Sequence, residues 1–125
     1  MADLNVVVLG ASDKEDKFSN KALKLLKSRN YRIIPVNPQL DFIEGIPVVK
    51  KLSDIKEDVH TLTVYVGPGR SEAMIDDIIR LKPERVILNP GTESEKLKNA
   101  LDNASVRYLE ACTIILTNTG QFETA

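Results

Sequence analysis

The sequence predicts an α/β fold: a Rossmann-like, doubly wound parallel sheet in three α/β/α layers, formed as a single domain over residues 1–125. Two observations carry this. Short apolar runs alternate along the chain with segments of helical periodicity, the pattern of β-α-β units. The runs are continuous and rich in Val and Ile, as in strands covered on both faces. Right-handed crossovers then make the sheet doubly wound. A length of 125 residues fits one such unit.

The elements follow in order. Residues 4–9 (LNVVVL) read as the first, buried strand. Phe18, Ala22, Leu25 and Leu26 then fall at i, i+4, i+7 and i+8, one helical face. Residues 32–36 (RIIPV) form the second strand, and Pro35 argues for an edge or a strand end. Residues 38–61 are irregular, broken by Gly45 and Pro47, with a short turn over 53–55. Residues 62–66 (LTVYV) form the third strand. Met74, Ile75, Ile78 and Ile79 make the next helical stripe, and residues 85–88 (RVIL) the fourth strand. Leu97, Ala100, Leu101 and Ala104 mark another helix, begun by a capping box of Thr92 and Glu95. Residues 106–109 form the fifth strand, and 113–116 a sixth, short one. No repeat or linker interrupts the series.

Composition bounds the function. Seventeen basic residues meet eighteen acidic ones, for a net charge of −1. No whole-surface field exists for nucleic acid. One cysteine excludes an internal disulfide and a multi-thiolate zinc site. No apolar stretch approaches the roughly 20 residues that cross a bilayer. The N-terminus carries no basic n-region or long apolar segment of a signal peptide. These features point to a cytoplasmic domain without membrane or nucleic-acid partners.

In a doubly wound sheet, ligands bind beyond the carboxyl ends of the strands. The loops there are Gly10-Ala11-Ser12, Asn37-Pro38, Gly67-Pro68-Gly69-Arg70, Asn89-Pro90-Gly91-Thr92 and Glu110-Ala111-Cys112. All are small, turn-forming or hydrogen-bonding. In the first, small residues let a ligand approach the backbone, Ser12 offers a hydroxyl, and the following helix can aim amides at an anion. A tight β-α turn explains the same residues. The dinucleotide fingerprint G-x-G-x-x-G is absent, since no second glycine follows Gly10 until Gly45. NAD sites usually place a carboxylate after the second strand. Asn37 stands there instead, and a neutral amide tolerates a phosphorylated ribose that a carboxylate would repel. That favours NADP or coenzyme A over NAD, although Asn-Pro also simply starts a turn. Arg70 can grip phosphate bidentately or be a solvated helix arginine. Lys14, Lys17 and Lys21 interleave with Asp13, Glu15 and Asp16, the pattern of a solvated loop.

Together these residues resemble the small coenzyme A-binding proteins of the CoA-binding domain family, which are similar to the N-terminal domain of the succinyl-CoA synthetase α subunit. The matching segments are VVVLGAS (6–12), FSNKAL (18–23), YRIIPVNP (31–38), GIPVVKKLSDI (45–55), YVGPGRSE (65–72), NPGTE (89–93) and EAC (110–112). They cover nearly the whole chain in order. PVNP and the 45–55 stretch are the most specific. The resemblance implies coenzyme A, or an acyl-CoA, bound through its ADP half. Gly10, Ala11 and Ser12 would cradle the pyrophosphate, with Ser19 at the helix opening. Asn37 and Pro38 would lie by the ribose and adenine. Val66, Gly67 and Pro68 would form a wall, with Arg70 near phosphate. Asn89, Pro90 and Gly91 would line the far side. Two positions depart from many relatives. Gln39 replaces a basic residue after Asn-Pro, and Asn89-Pro90-Gly91 replaces Gln-Leu-Gly.

Binding rather than turnover is the expectation. The synthetase needs a second domain with a phosphorylated histidine. Here the single His60 precedes the third strand, at the end of the sheet opposite the cleft. Cys112 follows the fifth strand and is the candidate reactive thiol, although lone cysteines usually serve as small buried hydrophobes. Glu93 reads as favourable charge in a first helical turn. A non-catalytic sensor, carrier or subunit is therefore the leading reading, in an assembly such as a homodimer. An NAD(P)-binding oxidoreductase-like or regulatory domain, and an interaction protein with a vestigial nucleotide cleft, stay open beside it.

Overall fold

The computed structural model describes residues 4–125. In chain order its elements are β1 (Asn5–Leu9), α1 (Phe18–Ser28), β2 (Arg32–Val36), β3 (Phe42–Ile43), β4 (Ile46–Pro47), β5 (Thr61–Val64), α2 (Pro68–Glu72), α3 (Ile75–Leu81), β6 (Arg85–Leu88), α4 (Glu95–Asn103), β7 (Arg107–Glu110) and α5 (Thr113–Asn118). Five strands form an all-parallel sheet in the order β2-β1-β5-β6-β7. The chain winds outward from β1 to β2, then returns and winds the other way from β5. The switch point therefore lies between β1 and β5.

Side chains alternate across the strands and so feed two cores. Val7, Leu9, Leu62, Val64, Val86 and Leu88 face Ile78 of α3 and Leu97 and Leu101 of α4. Val6 and Ile87 face Leu26 of α1 and Phe122, and Val8 faces Leu23. Val6, Val7, Val8, Val86, Ile87 and Leu88 are all fully buried. Each such side chain contributes about 1.5–3 kcal/mol on leaving water, so these strands are stable only inside a three-layer sandwich. Pro35 sits in β2, the sheet edge, where a missing N–H is tolerated.

Several elements differ from the sequence reading. Residues 113–116 open the helix α5 and do not form a strand. Their Thr-Ile-Ile-Leu composition is β-like, but Thr113 N–H donates to Asn89 Oδ1 at 2.9 Å, and Thr117 Oγ1 donates to Thr113 O at 2.8 Å. Buried Thr113 and Thr117 thus lie one turn apart, and α5 packs on α1. The cap of α4 is Ser94, not Thr92. Ser94 Oγ accepts from Leu97 N–H at 3.1 Å and donates to Glu72 Oε2 at 2.6 Å. Thr92 is engaged in the preceding turn, its hydroxyl donating to Asn89 O at 2.8 Å. Phe18 does not join the buried face of α1, which is Ser19, Asn20, Ala22, Leu23 and Leu26; its ring is 69% exposed. The third strand ends at Val64, the fifth spans Arg107–Glu110, and the stripe at 74–79 belongs to α3, preceded by the separate short α2. The irregular stretch 38–61 contains the β3–β4 hairpin, and a 3-10 turn covers Leu52–Asp54.

Candidate functional site

The loops leaving the carboxyl ends of the strands enclose three adjoining cavities. Beside β2, a cavity of about 160 Å³ is lined by Gly10, Val36, Pro38, Lys50, Lys51, Leu52, Arg70, Met74 and others. Over the switch point, one of about 330 Å³ is lined by Gly10, Ser12, Lys17, Phe18, Ser19, Tyr65, Gly67, Pro90, Gly91 and Thr92. Beyond it, one of about 190 Å³ is walled by Phe18, Tyr65, Asn89, Pro90, Cys112 and Ile114. Gly10 is common to the first and second; Phe18, Tyr65 and Pro90 are common to the second and third. The three therefore adjoin one another in a row along the carboxyl end of the sheet.

Gly10 fixes the centre of this row. Its φ of +90° disfavours any side chain, and a Cβ there would lie 2.8 Å from Val66 Cγ1 and 3.0 Å from the Tyr65 carbonyl carbon. Only glycine lets β1 end against the β5 loop and leave the backbone bare. Its N–H and that of Ala11 both donate to Val36 O, tying the loop to β2. Ser12 Oγ accepts from Lys14 N–H at 3.0 Å, and Asn20 Nδ2 donates to Ser12 O at 2.9 Å. Helix α1 begins at Phe18 with no side-chain cap. Asn20 and Lys21 N–H both turn back to Lys17 O, which leaves the Phe18 and Ser19 amides at the helix start, beside the central cavity, where the helix dipole favours negative charge.

The two asparagines hold the loops. Asn37 Nδ2 donates to Ala11 O at 2.9 Å, while Oδ1 accepts from Gln39 and Leu40 N–H at 2.8 and 3.1 Å. This is an Asx turn that fastens the β2 loop to the β1 loop. Asn89 is 2% exposed. Its Nδ2 donates to Thr63 Oγ1 at 2.7 Å and Val64 O at 2.9 Å, and its Oδ1 accepts from Thr113 N–H. Asn89 therefore ties β5, β6 and α5 together beneath the third cavity.

Of the residues singled out in the sequence, Gly10, Ser12, Ser19, Gly67, Pro90 and Gly91 meet at the central cavity. Pro38 and Arg70 lie at the β2 side, and Asn89, Pro90 and Cys112 at the far side. Ala11 and Val66 are buried beneath the loops, 1% and 2% exposed. Asn37 shapes the rim, and Pro68 is the first residue of α2. Sequence reasoning missed Lys50, Lys51, Leu52 and Met74 on one side, and Lys17, Phe18, Tyr65 and Ile114 on the other. The parallel bridge between Val36 and Val49 carries the lysine pair to the end of β2. The signal for that pair lay inside the GIPVVKKLSDI stretch.

Charge along the row is uneven. Lys50, Lys51 and Arg70 border the β2-side cavity, with Asp77 as its carboxylate. The third cavity has no charged wall. Burial pushes the Tyr65 phenol up to about 12, against the opposing pull of Thr113 and Thr63, so it stays neutral. His60 lies at the other end of the sheet, where its Nδ1 is 2.7 Å from Thr61 Oγ1. Burial, aided by Arg85, holds its pKa below the ordinary histidine value.

Among the described residues no group of His, Cys, Asp or Glu is arranged to hold a metal ion, and no helix is long and apolar enough to cross a membrane.

The architecture matches known proteins. A crystal structure of an uncharacterized protein superposes with a TM-score of 0.90 at 31% identity, covering 98% of this chain and 100% of that one. The uncharacterized protein YneT of Bacillus subtilis is 33% identical over 75 residues, which span 57% of this chain and 56% of YneT. The ADP-forming acetate–CoA ligase of Methanocaldococcus jannaschii is 38% identical over 65 residues, 52% of this chain and 9% of the ligase. The matched stretches thus span less than two thirds of either curated relative. A family model described as CoA binding domain matches residues 5–118, and the chain belongs to that family.

Proposed function

We propose that this chain binds coenzyme A, or an acyl-CoA, through its ADP half along the carboxyl edge of the sheet, and does so without catalysing a reaction on it. The observation that carries the reading is the row of three adjoining cavities, the first two sharing Gly10 and the last two sharing Phe18, Tyr65 and Pro90. Its middle offers bare backbone and the uncapped start of α1 to a diphosphate. Its β2 side offers an apolar floor of Val36, Leu52 and Met74 for the base. Its uncharged far side suits the neutral arm that carries the thiol. Family membership and the matched stretch of an acetate–CoA ligase support the same ligand.

In this arrangement Gly10, Ser12 and Ser19 border the diphosphate, and Gly67, Pro90 and Gly91 close over it. Ala11, Asn37, Val66, Pro68 and Asn89 act from behind by fixing the loops. Cys112 lines the pocket at the end of the arm, where thiol exchange with a bound disulfide form would be short-range. A cytoplasmic homodimer is the setting expected for such a unit, and sedimentation velocity reads its oligomeric state.

Calorimetric titration with coenzyme A, NAD and NADP tests the reading. Coenzyme A binds at one site per chain, and NAD at least about tenfold more weakly, a difference of roughly 1.4 kcal/mol. Equal affinity for NAD, or no heat with coenzyme A, contradicts it. Native mass spectrometry of the purified chain shows whether an acyl form co-purifies.

A further inference from the structure

The β2-side cavity gathers positive charge next to the central one. It lies across Gly10 from the start of α1 and from Lys17. Three cations border it, but they are not equivalent. Lys50 Nζ donates to Asp41 Oδ1 at 2.8 Å and to Leu40 O at 2.7 Å, so it is engaged in bracing the β3–β4 hairpin. Lys51 and Arg70 make no ion pair among the described residues, and both are exposed. The one bordering carboxylate, Asp77, already accepts from Arg80 Nη1 at 3.0 Å. Gln39, next to Asn37-Pro38, is neutral, and its N–H is committed to the Asx turn.

We infer that Lys51 and Arg70 together read a phosphomonoester on the ligand's ribose. They approach from different elements: Lys51 from the segment bridged to the end of β2, and Arg70 from α2. A dianionic phosphate between them gains charge-assisted bonds, Arg70 supplying a planar fork and Lys51 a point charge. The base beside them rests on Leu52 and Met74. The site thereby selects 3′-phosphorylated adenosine ligands over plain ADP derivatives. This inference rests on the coenzyme A reading, and the experiment separates the two.

Coenzyme A and dephospho-coenzyme A are titrated calorimetrically into the wild-type chain, Lys51→Gln, Arg70→Gln, the double variant and Arg70→Lys. The wild type prefers coenzyme A by about tenfold or more, the scale of one charge-assisted contact pair. Each Gln variant lowers that preference several-fold, and the double variant removes it. Affinity for dephospho-coenzyme A changes far less. Arg70→Lys keeps part of the preference, because the charge stays and the fork is lost. Added salt erodes the preference, since both cations are exposed. A preference that survives in the double variant overturns the inference, and so does a wild type that binds both ligands equally. If neither ligand binds, the coenzyme A reading itself falls.

Discussion

The two ends of the sheet are built on opposite principles. At the carboxyl end the loops are small and the backbone is bare. Cavities open there, and Lys51 and Arg70 make no ion pair among the described residues. At the amino end buried side chains pack the strand starts, beside a cavity of about 380 Å³ lined by Arg29, Tyr31, Phe122, Glu123 and their neighbours. Arg85 is 1% exposed at the start of β6, donating from Nε to Thr61 Oγ1 at 2.8 Å and from Nη1 to Ala125 O at 2.9 Å. Phe122, 2% exposed, packs its ring 4.6 Å from the Arg85 guanidinium and 5.0 Å from the Tyr31 ring. Tyr31 OH donates to Glu123 Oε2 at 2.6 Å. The residues after α5 fold back as a plug beneath the strands. One end therefore contributes stability and the other is free to contribute a site, even though both belong to the same strands.

Four changes probe that division, beginning with the largest effect. Phe122→Ala removes the plug and loses about 3–5 kcal/mol of unfolding free energy, read by denaturant melts. Coenzyme A affinity in the folded fraction changes little, because the site is at the other end. Gly10→Ala acts at the open end. A Cβ 2.8 Å from Val66 Cγ1 at φ +90° costs about 3 kcal/mol of strain and overlap. It also pushes the two loops apart, so affinity falls more than about tenfold. A folded Gly10→Ala chain that binds normally would remove Gly10 from the account.

The third effect is kinetic. Alkylation of Cys112 by iodoacetamide, followed by mass spectrometry, slows several-fold when coenzyme A fills the row of cavities that this cysteine borders. An unchanged rate would mean that the ligand's arm does not reach the third cavity. The last effect is that of pH, and it is confined to alkaline solution. Burial raises the phenols of Tyr31 and Tyr65 to about 12, and at Tyr31 the hydrogen bond to Glu123 adds to it. Their ordinary value is 10.0. Between the two values the unfolded chain has released protons that the folded chain still holds. Stability is thus fully present below pH 10 and declines as pH rises from 10 toward 12. Tyr31→Phe and Tyr65→Phe each flatten that decline in melts at graded pH.

The sheet could be read from the sequence because its strands are short runs of buried Val, Ile and Leu with no competing period. The open end could be read because parallel strands send every loop that follows a strand to one end of the sheet. What escaped the sequence depended on long-range geometry. Thr113-Ile114-Ile115-Leu116 looks like a strand until Asn89, a residue from another loop, accepts its first amide. Thr92 fits a cap until its hydroxyl closes a turn on Asn89. Phe18 obeys the helical period, yet the chain places it at the mouth of the cleft. Lys51 reaches the site only through the bridge between Val36 and Val49. Asn37, expected beside the ribose, has a second role that needed the folded loops to see: three of its hydrogen bonds hold them together.

The central claim is that the ligand occupies the open end alone. Titrating coenzyme A into uniformly ¹⁵N-labelled chain while recording amide spectra tests this most directly. The account predicts saturable shifts at Gly10, Ser12, Ser19, Gly67 and Gly91, with Thr117, Gly120 and Phe122 unmoved. Shifts centred on the plug, or none at saturating ligand, would contradict it.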